Sequence, residues 1–281
     1  MITYLIDQFV SSEEAKLPVS DLGLQRGYAV FDFLRTCNGV PLFIDDHLER
    51  FHRSAKQLHL NAPDNNSLKE IVYELIDRNR LDQSGIKMLL TGGNSPDGYS
   101  LAEPNLIMTE FPLQLPPPSK YRIGMKVITY EYQRQMPEIK TTNYLMGIWL
   151  QQKREQHNAG DVLYHYNGKV TEFPRSNIFI VTREDVVVTP DKNILAGITR
   201  KKVIGFAEKR FSLEVRDVTL DEVKNAAEVF FTNSSHRVFP VVQIDETEIG
   251  NGKPGVVTQK ILEGFLEVEQ DYINTHSTIR K

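Results

Sequence analysis

The first 112 residues alternate between short hydrophobic runs and turn-forming residues. Four runs rich in β-branched and aromatic residues predict strands, in "MITYLIDQFV", "YAVFDFLRTCNGVPLFI", "IKMLLTGG" and "PNLIMTEFPL". Within the second run, Asn38-Gly39 is a dipeptide that two-residue hairpin turns favour. Hairpins join antiparallel strands, so this part of the chain predicts an antiparallel sheet.

Two amphipathic segments lie between these strands. "DDHLERFHRSAKQLHL" places Leu48, Phe51 and Leu58 on one helical stripe, with Asp45 or Asp46 as the expected N-terminal cap. "SLKEIVYELIDRN" also has a helical period. Together with the antiparallel sheet, these helices predict an α+β domain over residues 1–112.

A run of three prolines ends this domain. In "LQLPPPSKY" the prolines form a stiff, extended connection, so residues 113–120 are predicted to be a linker and residues 121–281 a second domain. The second part mixes short strands with helices, including a helix predicted from about Asn143 to His157. We expect a mixed α/β domain built on a partly closed, barrel-like sheet.

Composition and charge exclude several classes of protein. Hydrophobic residues make up 40% of the chain, charged residues make up 25%, and the net charge is −4, so nucleic acid is not an expected partner. Cys37 is the single cysteine, which excludes an intrachain disulfide and a cysteine-rich metal site, and no metal is expected. The N-terminal sequence does not resemble a signal peptide, and no apolar run is long enough for a membrane span. We therefore expect a cytoplasmic protein.

Lys140, in "PEIKTTNYLM", has unusual neighbours for a lysine. It lies between a proline-marked loop and an apolar run, near the predicted start of a helix. Burial among apolar groups and the positive end of a helix dipole both disfavour the ammonium form. Lys140 is therefore either a surface residue or an amine that forms a Schiff base with a carbonyl compound.

Glu172 and two hydroxyl-containing segments are further candidates for a binding site. Glu172 shares a strand face with Val170, so its carboxylate is expected to point inward, paired either with a cation or with a protonated ring nitrogen. In "ILAGITRKKVIGF", Gly197 and Thr199 begin a predicted helix whose N–H groups suit an anion. The strand end "FFTNSSHRVFP" carries hydroxyls that either form a turn or complete a phosphate site.

Five segments in this order resemble one family of enzymes. They are "VFDFLR", "HLERFHRSA", "IKTTNYL", "VTEFPRSNIF" and "LAGITRKKV". The resemblance, from about Asp21 to Asp245, is to the class IV (fold type IV) aminotransferases, which use pyridoxal 5′-phosphate (PLP). That family includes branched-chain aminotransferases, D-amino acid aminotransferases and aminodeoxychorismate lyase. It implies a two-domain fold type IV enzyme, with a small α+β N-terminal domain and a larger barrel-like C-terminal domain carrying the PLP lysine.

The resemblance implies cofactor roles for seven residues. Lys140 matches the catalytic Schiff-base lysine, and Glu172 matches the acid beside the pyridine nitrogen. The cofactor phosphate would be bound by Arg50, Ile198, Thr199 and Ser234. Tyr144 resembles the tyrosine that branched-chain enzymes place near the phenolic oxygen of the ring.

The substrate pocket matches the family less closely. Phe31 matches an aromatic residue that lines the active site, and Arg35 lies on the same predicted strand face, where it either binds a substrate carboxylate or has a surface role. In the loop "TGGNSPDGYS", Asp97 and Tyr99 replace the arginine and histidine of D-amino acid enzymes, which argues against D-amino acid specificity. Tyr99 is a candidate substrate-binding residue, and "DGYS" resembles the "RGYS" of aminodeoxychorismate lyases.

The resemblance favours a transaminase that acts on an amino acid, with a branched-chain or other apolar side chain, and a 2-oxo acid. Aminodeoxychorismate lyase is the alternative enzyme, because it uses the same cofactor residues. A non-catalytic PLP-binding protein is an alternative of another class. The family also implies a homodimer in which a neighbouring subunit completes the active site.

Overall fold

The computed structural model describes residues 1–277, which divide into two compact units. Unit 1 comprises Met1–Gln114, Ile139–Asn143 and the described chain from Asp271 onward, and unit 2 comprises Leu115–Glu138 and Tyr144–Gln270. The chain first passes from unit 1 to unit 2 between Gln114 and Leu115, within the predicted linker at 113–120. Lys140 lies in unit 1, although the sequence placed it in the second domain. The last four residues of that predicted domain, 278–281, lie outside the described residues.

Unit 1 is built on a six-stranded sheet in the order β2-β1-β6-β5-β3-β4. Its strands are β1 (Ile2–Leu5), β2 (Gln8–Ser11), β3 (Ala29–Cys37), β4 (Val40–Pro41), β5 (Gln83–Thr91) and β6 (Leu106–Pro112). Its helices are α1 (Leu22–Arg26), α2 (Ile44–Gln57) and α3 (Asn65–Asn79). Every pairing among these strands is antiparallel, which confirms the predicted α+β organisation.

Helices α2 and α3 pack on one face of this sheet and form the core of unit 1. The core includes Val30 and Leu34 from β3 and Leu48 and Phe51 from α2, all fully buried. Because strand side chains alternate, Phe31 and the other odd-numbered residues of β3 project from the opposite face.

Helix α2 begins differently from the prediction. Its N-cap is Phe43, which has a left-handed backbone (φ 56°) and makes no side-chain capping hydrogen bond. Asp45 and Asp46 lie inside the first turn, so the predicted cap was wrong. Acidic side chains in the first turn still favour the helix through its dipole.

Unit 2 is built on an eleven-stranded mixed sheet that curls into a half-barrel. Its strands are β7 (Met125–Glu131), β8 (Asp161–Tyr166), β9 (Lys169–Val170), β10 (Glu172–Phe173), β11 (Ser176–Val181), β12 (Val187–Thr189), β13 (Leu213–Val215), β14 (Val218–Thr219), β15 (Glu228–Asn233), β16 (Arg237–Ile244) and β17 (Thr247–Glu248). The main path is β13-β12-β11-β15-β16-β7-β8-β9-β14, with β10 paired to β11 and β17 to β16. Strand β7 runs parallel to both of its neighbours, and β12 runs parallel to β13.

The helices that begin in unit 2 are α4 (Pro118–Ile123), α5 (Leu145–Trp149), α6 (Gln151–Gln156), α7 (Ile198–Ala207), α8 (Leu220–Asn225) and α9 (Val256–Ser277). The single helix predicted from Asn143 to His157 is two short helices, because the chain turns at Leu150 and buries that side chain beside Ile128 and Tyr164. Pro118 begins α4, since a proline is tolerated at the first helical position.

Helix α9 packs on α7 through Gly264, which gives a test of this packing. A Cβ at Gly264 would overlap the Phe206 ring. Gly264→Ala should therefore lower the free energy of unfolding by about 1–3 kcal/mol, despite the better helix propensity of alanine. Urea denaturation measures this change.

Gly205, in the interior of α7, is the matched control. Nothing lies within 4 Å of a Cβ built there. Gly205→Ala should therefore raise the free energy of unfolding by roughly 0.5–1 kcal/mol. A stabilised Gly264→Ala protein would contradict the close contact between the two helices.

Candidate active site

Lys140 lies on a short segment that pairs with the start of β3. The Phe31 amide donates to the Lys140 carbonyl at 2.9 Å, and the Thr142 amide donates to the Ala29 carbonyl at 3.1 Å. The Lys140 amide donates to Ser54 Oγ of α2 at 3.2 Å. These bonds fix the backbone on both sides of the lysine, so its side chain starts from a defined position.

The Lys140 side chain extends over an aromatic ring. Its Nζ lies 4.4 Å from the centroid of Phe31. Phe31 and Lys140 are thus two predicted site residues that the structure brings into contact. Along the sequence, helix α5 begins at Leu145, two residues after the start predicted at about Asn143.

Lys87 is a second amine at the same ring, and it was not among the predicted site residues. Its Nζ lies 5.1 Å from the Phe31 centroid. In the register of β3 and β5, Lys87 is paired with Phe33, which places it on the face that carries Phe31. Alternation within the paired strands could have revealed it, but only once the register was known.

Arg50 belongs to a buried ionic cluster in unit 1. Asp32 on β3 accepts from Arg50 Nε and Nη2, each at 2.8 Å, and from His47 Nδ1 at 2.7 Å. His47 and Arg50 lie on neighbouring turns of α2 and face the sheet together. The bidentate contact fixes the plane of the guanidinium.

The charges within this cluster are set by its contacts. Burial alone would raise the pKa of Asp32, but the neighbouring Arg50 and His47 outweigh it and hold that pKa well below its usual range. Burial, aided by the charges of Arg50 and Lys140, lowers the pKa of His47. Asp32 is therefore ionised and His47 is neutral, donating its Nδ1 proton to the carboxylate.

Glu172 is buried in unit 2 and accepts hydrogen bonds from an arginine side chain and from a backbone amide. Its Oε1 accepts from Arg134 Nε at 2.7 Å, and its Oε2 accepts from the Leu195 amide at 2.9 Å. Arg134 Nη2 also donates to the Pro137 carbonyl, which anchors the guanidinium. The prediction that Glu172 points inward was correct. Arg134 was missed, because nothing in its local sequence indicates a partner 38 residues away.

Glu172 shares one sheet face with two other polar residues. The register pairs Glu172 with Asn177, and Asn177 with Thr232, so the three side chains form a row across β10, β11 and β15. Thr232 Oγ1 is buried and has no hydrogen-bond partner among the described residues. A buried hydroxyl of this kind is expected to have a partner, and a bound group would supply one.

The start of α7 lies beside the same row. Asn177 Nδ2 donates to the Leu195 carbonyl at 2.8 Å, and a Cβ at Gly197 would overlap Asn177 Oδ1. Gly197, the N-cap of α7, has no side chain to cap the helix. The first amides of α7, at Ile198 and Thr199, therefore form a site suited to an anion.

Ser234 lies in the turn that joins β15 to β16. Asn233 Oδ1 holds this turn by accepting from the Ser235 amide at 2.9 Å and the His236 amide at 2.6 Å. Ser234 thus follows Thr232 closely, at the end of the strand that carries the buried hydroxyl. Ile198, Thr199 and Ser234 are all in unit 2 with Glu172.

Arg35 is separated from Phe31 by an aromatic pair. A Cβ at Gly85 would overlap the Phe33 ring, and Phe33 stacks on Phe111 with centroids 5.9 Å apart. Phe33 therefore covers the sheet between Phe31 and Arg35. Arg35 is only 3% exposed, so the alternative of a surface role was wrong.

Tyr99 lies in a loop that Asp97 organises. Asp97 Oδ1 accepts from the amides of Tyr99 at 2.9 Å and Ser100 at 2.7 Å. These hydrogen bonds, with that of the Ser100 hydroxyl, hold the pKa of Asp97 well below its usual range. The Tyr99 side chain is 86% exposed within the monomer. Asp97 therefore has a clear role in shaping the loop, and the substrate role of Tyr99 stays a prediction.

Tyr144 lies in unit 2 at the N-terminal end of α5 and lines a cavity. The cavity, of about 480 Å³ including its open mouth, is also lined by Arg154, Asp161 and Arg175. Asp161 accepts from the Val162 amide at 2.8 Å. Burial raises the pKa of Asp161 to about 6. The hydrogen bond from Val162 and the charges of Arg175 and Arg154 act in the opposite direction but are weaker.

A family model described as "Amino-transferase class IV" matches residues 29–244 of the chain. The chain belongs to this family. It is 30% identical over 261 residues to a D-alanine aminotransferase of Bacillus licheniformis, covering 90% of this chain and 92% of that protein. The family assignment makes this protein an aminotransferase, in agreement with the resemblance of the five sequence segments.

Two solved structures share the fold. A branched-chain amino acid aminotransferase of T.th., with pyridoxamine 5′-phosphate, is 26% identical, with a TM-score of 0.90 and coverage of 97% of this chain and 96% of that one. The branched-chain aminotransferase of Thermoproteus uzoniensis, with norvaline, is 27% identical, with a TM-score of 0.86 and coverage of 98% and 97%. These likenesses confirm the predicted fold type.

The residues of unit 2 fit a phosphorylated pyridine cofactor. The row of Glu172, Asn177 and Thr232 provides a buried carboxylate at one end and an unpartnered hydroxyl at the other, as far as the described residues show. Two strand spacings, roughly 10 Å, separate those ends. The uncapped start of α7 lies beside the row, where a side chain at Gly197 would collide with Asn177. A protonated ring nitrogen suits the carboxylate, and a phosphate suits the helix start.

The raised pKa of Asp161 predicts a pH-dependent effect on stability. The folded pKa of about 6 lies above the ordinary value of 3.8, so ionisation of Asp161 costs stability progressively as pH rises from about 4 to 6. Asp161→Asn should raise the free energy of unfolding above pH 6 by about 1–2 kcal/mol, after allowing for partial exposure. Urea denaturation between pH 4 and 8 measures the difference.

Asp64 is a control in which the pKa is lowered instead of raised. Hydrogen bonds from Ser67 and Asn66 lower its pKa, so its ionised form stabilises the fold above pH 4. Asp64→Asn should therefore lower stability at neutral pH. A gain for Asp161→Asn that did not grow between pH 4 and 6 would contradict the raised pKa.

Proposed function

We propose that this protein is a PLP-dependent transaminase that transfers an amino group between an amino acid and a 2-oxo acid. The observation that carries the proposal is the polar row of unit 2, which combines a buried carboxylate, a buried hydroxyl without a partner among the described residues, and an uncapped helix start. Family membership supports the same chemistry, and so does a structural neighbour that contains pyridoxamine 5′-phosphate.

Each predicted cofactor residue has a role in this proposal. Lys140 would hold the cofactor through its amine, and Glu172 would pair with the protonated pyridine nitrogen. The first amides of α7, at Ile198 and Thr199, would bind the phosphate with Ser234, and Arg50 would contribute its guanidinium. Tyr144 would lie near the phenolic oxygen. Arg134 would hold the Glu172 carboxylate in place by pairing with it.

When bound, the cofactor supplies an electron-withdrawing ring that stabilises the charge left on the substrate after loss of its α-proton. Lys140 would act as the general base that removes this proton and would then return it to the cofactor. Its amine must be free of strong competing charges for both steps. The neutral His47 and the apolar Phe31 ring suit that requirement, and the amine of Lys87 at the same ring would disfavour a positive charge on Lys140.

We infer that the substrate is an amino acid with an apolar side chain. The relatives named above are D-alanine and branched-chain aminotransferases, so amino acids of either configuration are tested with 2-oxoglutarate as acceptor. Aminodeoxychorismate lyase is not favoured by these relatives. Amino transfer without pyruvate release from aminodeoxychorismate supports the proposal, whereas pyruvate release alone contradicts it. PLP loading without either reaction would indicate a non-catalytic binding protein.

We further propose a cytoplasmic homodimer. Leu145, Ile148 and Trp149 of α5 are each more than 60% exposed in the monomer, which is typical of a surface that another subunit covers. Static light scattering of the purified protein measures the mass of the particle. A monomer at micromolar concentration would contradict the dimer without affecting the proposed chemistry.

The role of Lys140 is tested by substitution. Lys140→Ala should remove the absorbance of protein-bound PLP above 400 nm and abolish the half-reaction with an amino acid, because no other amine would replace it. Lys87→Ala is the control for the absorbance alone: it removes the other amine at the same ring and should leave the absorbance of protein-bound PLP in place. A borohydride-fixed adduct at another lysine would contradict the assignment of Lys140.

Lys87 and Arg35 are the two candidates for binding the carboxylate of the substrate. Because Lys87 shares the Phe31 ring with Lys140, Lys87→Gln should raise KM for amino acids about tenfold, the cost of losing a charged contact of roughly 1.4 kcal/mol. Turnover of the matching amine that lacks a carboxylate should not change. Arg35→Ala should alter stability more than KM.

The exposed Lys56 on α2 provides the matched control for charge. Lys56→Gln also removes one positive charge from unit 1, but on a helix that packs on the sheet face opposite Phe31. The KM for amino acids should therefore be unchanged. Equal losses for the amino acid and the amine in Lys87→Gln would show that Lys87 acts on Lys140 and not on the substrate carboxylate. A larger rise in KM for Arg35→Ala would restore Arg35 as the candidate.

A further inference from the structure

The loop before α7 is attached to the sheet of unit 2 at Leu195. The Leu195 amide donates to Glu172 Oε2 at 2.9 Å, and the Leu195 carbonyl accepts from Asn177 Nδ2 at 2.8 Å. Strands β10 and β11 therefore hold both backbone groups of this residue. This first anchor lies three residues before the helix, so it does not by itself fix the first helical turn.

Arg200 provides a second anchor, inside the first turn of α7. Its Nε donates to Thr189 Oγ1 at 3.2 Å, and its Nη2 donates to the Pro190 carbonyl at 2.8 Å. Thr189 is fully buried at the end of β12, and its hydroxyl donates to the Ile178 carbonyl of β11 at 2.8 Å. Because the guanidinium is planar, two hydrogen bonds to neighbouring acceptors leave it few alternative orientations.

The two anchors flank the amides that the proposed function assigns to the phosphate, those of Ile198 and Thr199. The Lys201 amide donates to the Gly197 carbonyl at 2.9 Å, so these two amides precede that helical hydrogen bond. A capping side chain would fix a helix start by occupying such amides, but Gly197 has none. Arg200 holds the same turn through the sheet and leaves the amides available to a ligand.

The charge of this turn is independent support for an anion. Arg200, Lys201 and Lys202 follow one another at the N-terminal end of α7, and the first turn contains no acidic residue. Cations are unfavourable at the positive end of a helix dipole. Burial lowers the pKa of Arg200 and the charge of Asp191 opposes this effect, but an arginine remains charged at neutral pH. A bound phosphate would offset this concentration of positive charge.

We propose that Arg200 is a positioning residue for the cofactor phosphate. Its hydrogen bonds to the end of β12 hold the first turn of α7, so the amides of Ile198 and Thr199 are in place before the cofactor binds. A site that is ordered in advance loses less entropy on binding and therefore binds more tightly. The inference rests on the proposed PLP chemistry and adds one residue to it.

The test compares PLP with pyridoxal, which has no phosphate. Arg200→Gln removes the guanidinium, so the dissociation constant for PLP should rise roughly tenfold, as for loss of one charged hydrogen-bonded contact. The constant for pyridoxal should not change. Both constants are measured by absorbance titration of the apoprotein, and their ratio is the readout, because a general loss of structure would weaken both.

Arg200→Lys distinguishes position from charge. It keeps the cation but replaces the planar guanidinium with a single ammonium group. The dissociation constant for PLP should rise by nearly as large a factor as in Arg200→Gln. Wild-type affinity for PLP in Arg200→Lys would show that the charge alone matters and would overturn the positioning role.

Two further variants make the result specific. Thr189→Val removes one acceptor of Arg200 and should give a smaller change of the ratio in the same direction, since the Pro190 carbonyl remains. In an Arg200→Gln background, Thr189→Val should not change the ratio further. Arg210→Gln, at an exposed arginine beyond the other end of α7, is the matched control and should change neither constant.

The outcomes separate this inference from the proposed function. An unchanged ratio in Arg200→Gln, whether through equal weakening or none, would overturn the positioning role while leaving PLP chemistry in place. A Thr189→Val effect on the ratio that persists without Arg200 would overturn it as well. Failure of the wild-type protein to bind PLP would overturn the proposed function, and this inference with it. Thermal unfolding shows which variants fold, and if Arg200→Gln does not, the ratios for Arg200→Lys and Thr189→Val decide the question.

Discussion

The pairing of residues 139–143 with the start of β3 is the constraint on which the rest of the candidate site depends. Two backbone–backbone hydrogen bonds and the bridge between Val30 and Thr141 attach this segment to the sheet of unit 1, and the bond from the Lys140 amide to Ser54 Oγ attaches it to helix α2. Ile139, beside the lysine, is buried in the core of unit 1. A lysine has four rotatable side-chain bonds and loses much entropy on ordering. Fixing its backbone limits that cost, so the amine can be directed to one place over Phe31.

Two buried acids are held in a similar way, each by an arginine. Asp32 pairs with Arg50 in unit 1, and Glu172 pairs with Arg134 in unit 2. Buried ion pairs add little net stability, because desolvation offsets most of their attraction, but loss of one partner leaves a costly unpaired charge. The pairs are therefore better understood as fixing orientation. In each pair the arginine binds through a planar group that allows few alternative geometries.

The sequence was sufficient for the elements of this site that depend on local pattern. Alternation along "NGKVTEF" correctly predicted that Glu172 points inward, and the match of five segments predicted the family and fold type. Contacts between residues that lie far apart in the sequence were harder to predict. Lys87 reaches Phe31 only through the register of β3 with β5, and Arg134 meets Glu172 across separate elements. The break at Leu150 likewise results from burial against other strands, which overrides the local helical period.

The same distinction explains why the cofactor residues do not define the substrate. The ring nitrogen and the phosphate belong to the cofactor and would be the same for every substrate. The residues that match them can therefore be found by motif. We expect the substrate to contact Phe31 and its neighbours on the face of the unit 1 sheet opposite α2 and α3, where small changes of side chain alter which groups the substrate meets. Phe33 lies flat across Gly85, because that position has no Cβ, and thereby separates Phe31 from Arg35. Gly85 on β5 thus leaves room for the Phe33 ring beside Arg35, while Lys87 and Lys140 both reach the Phe31 ring.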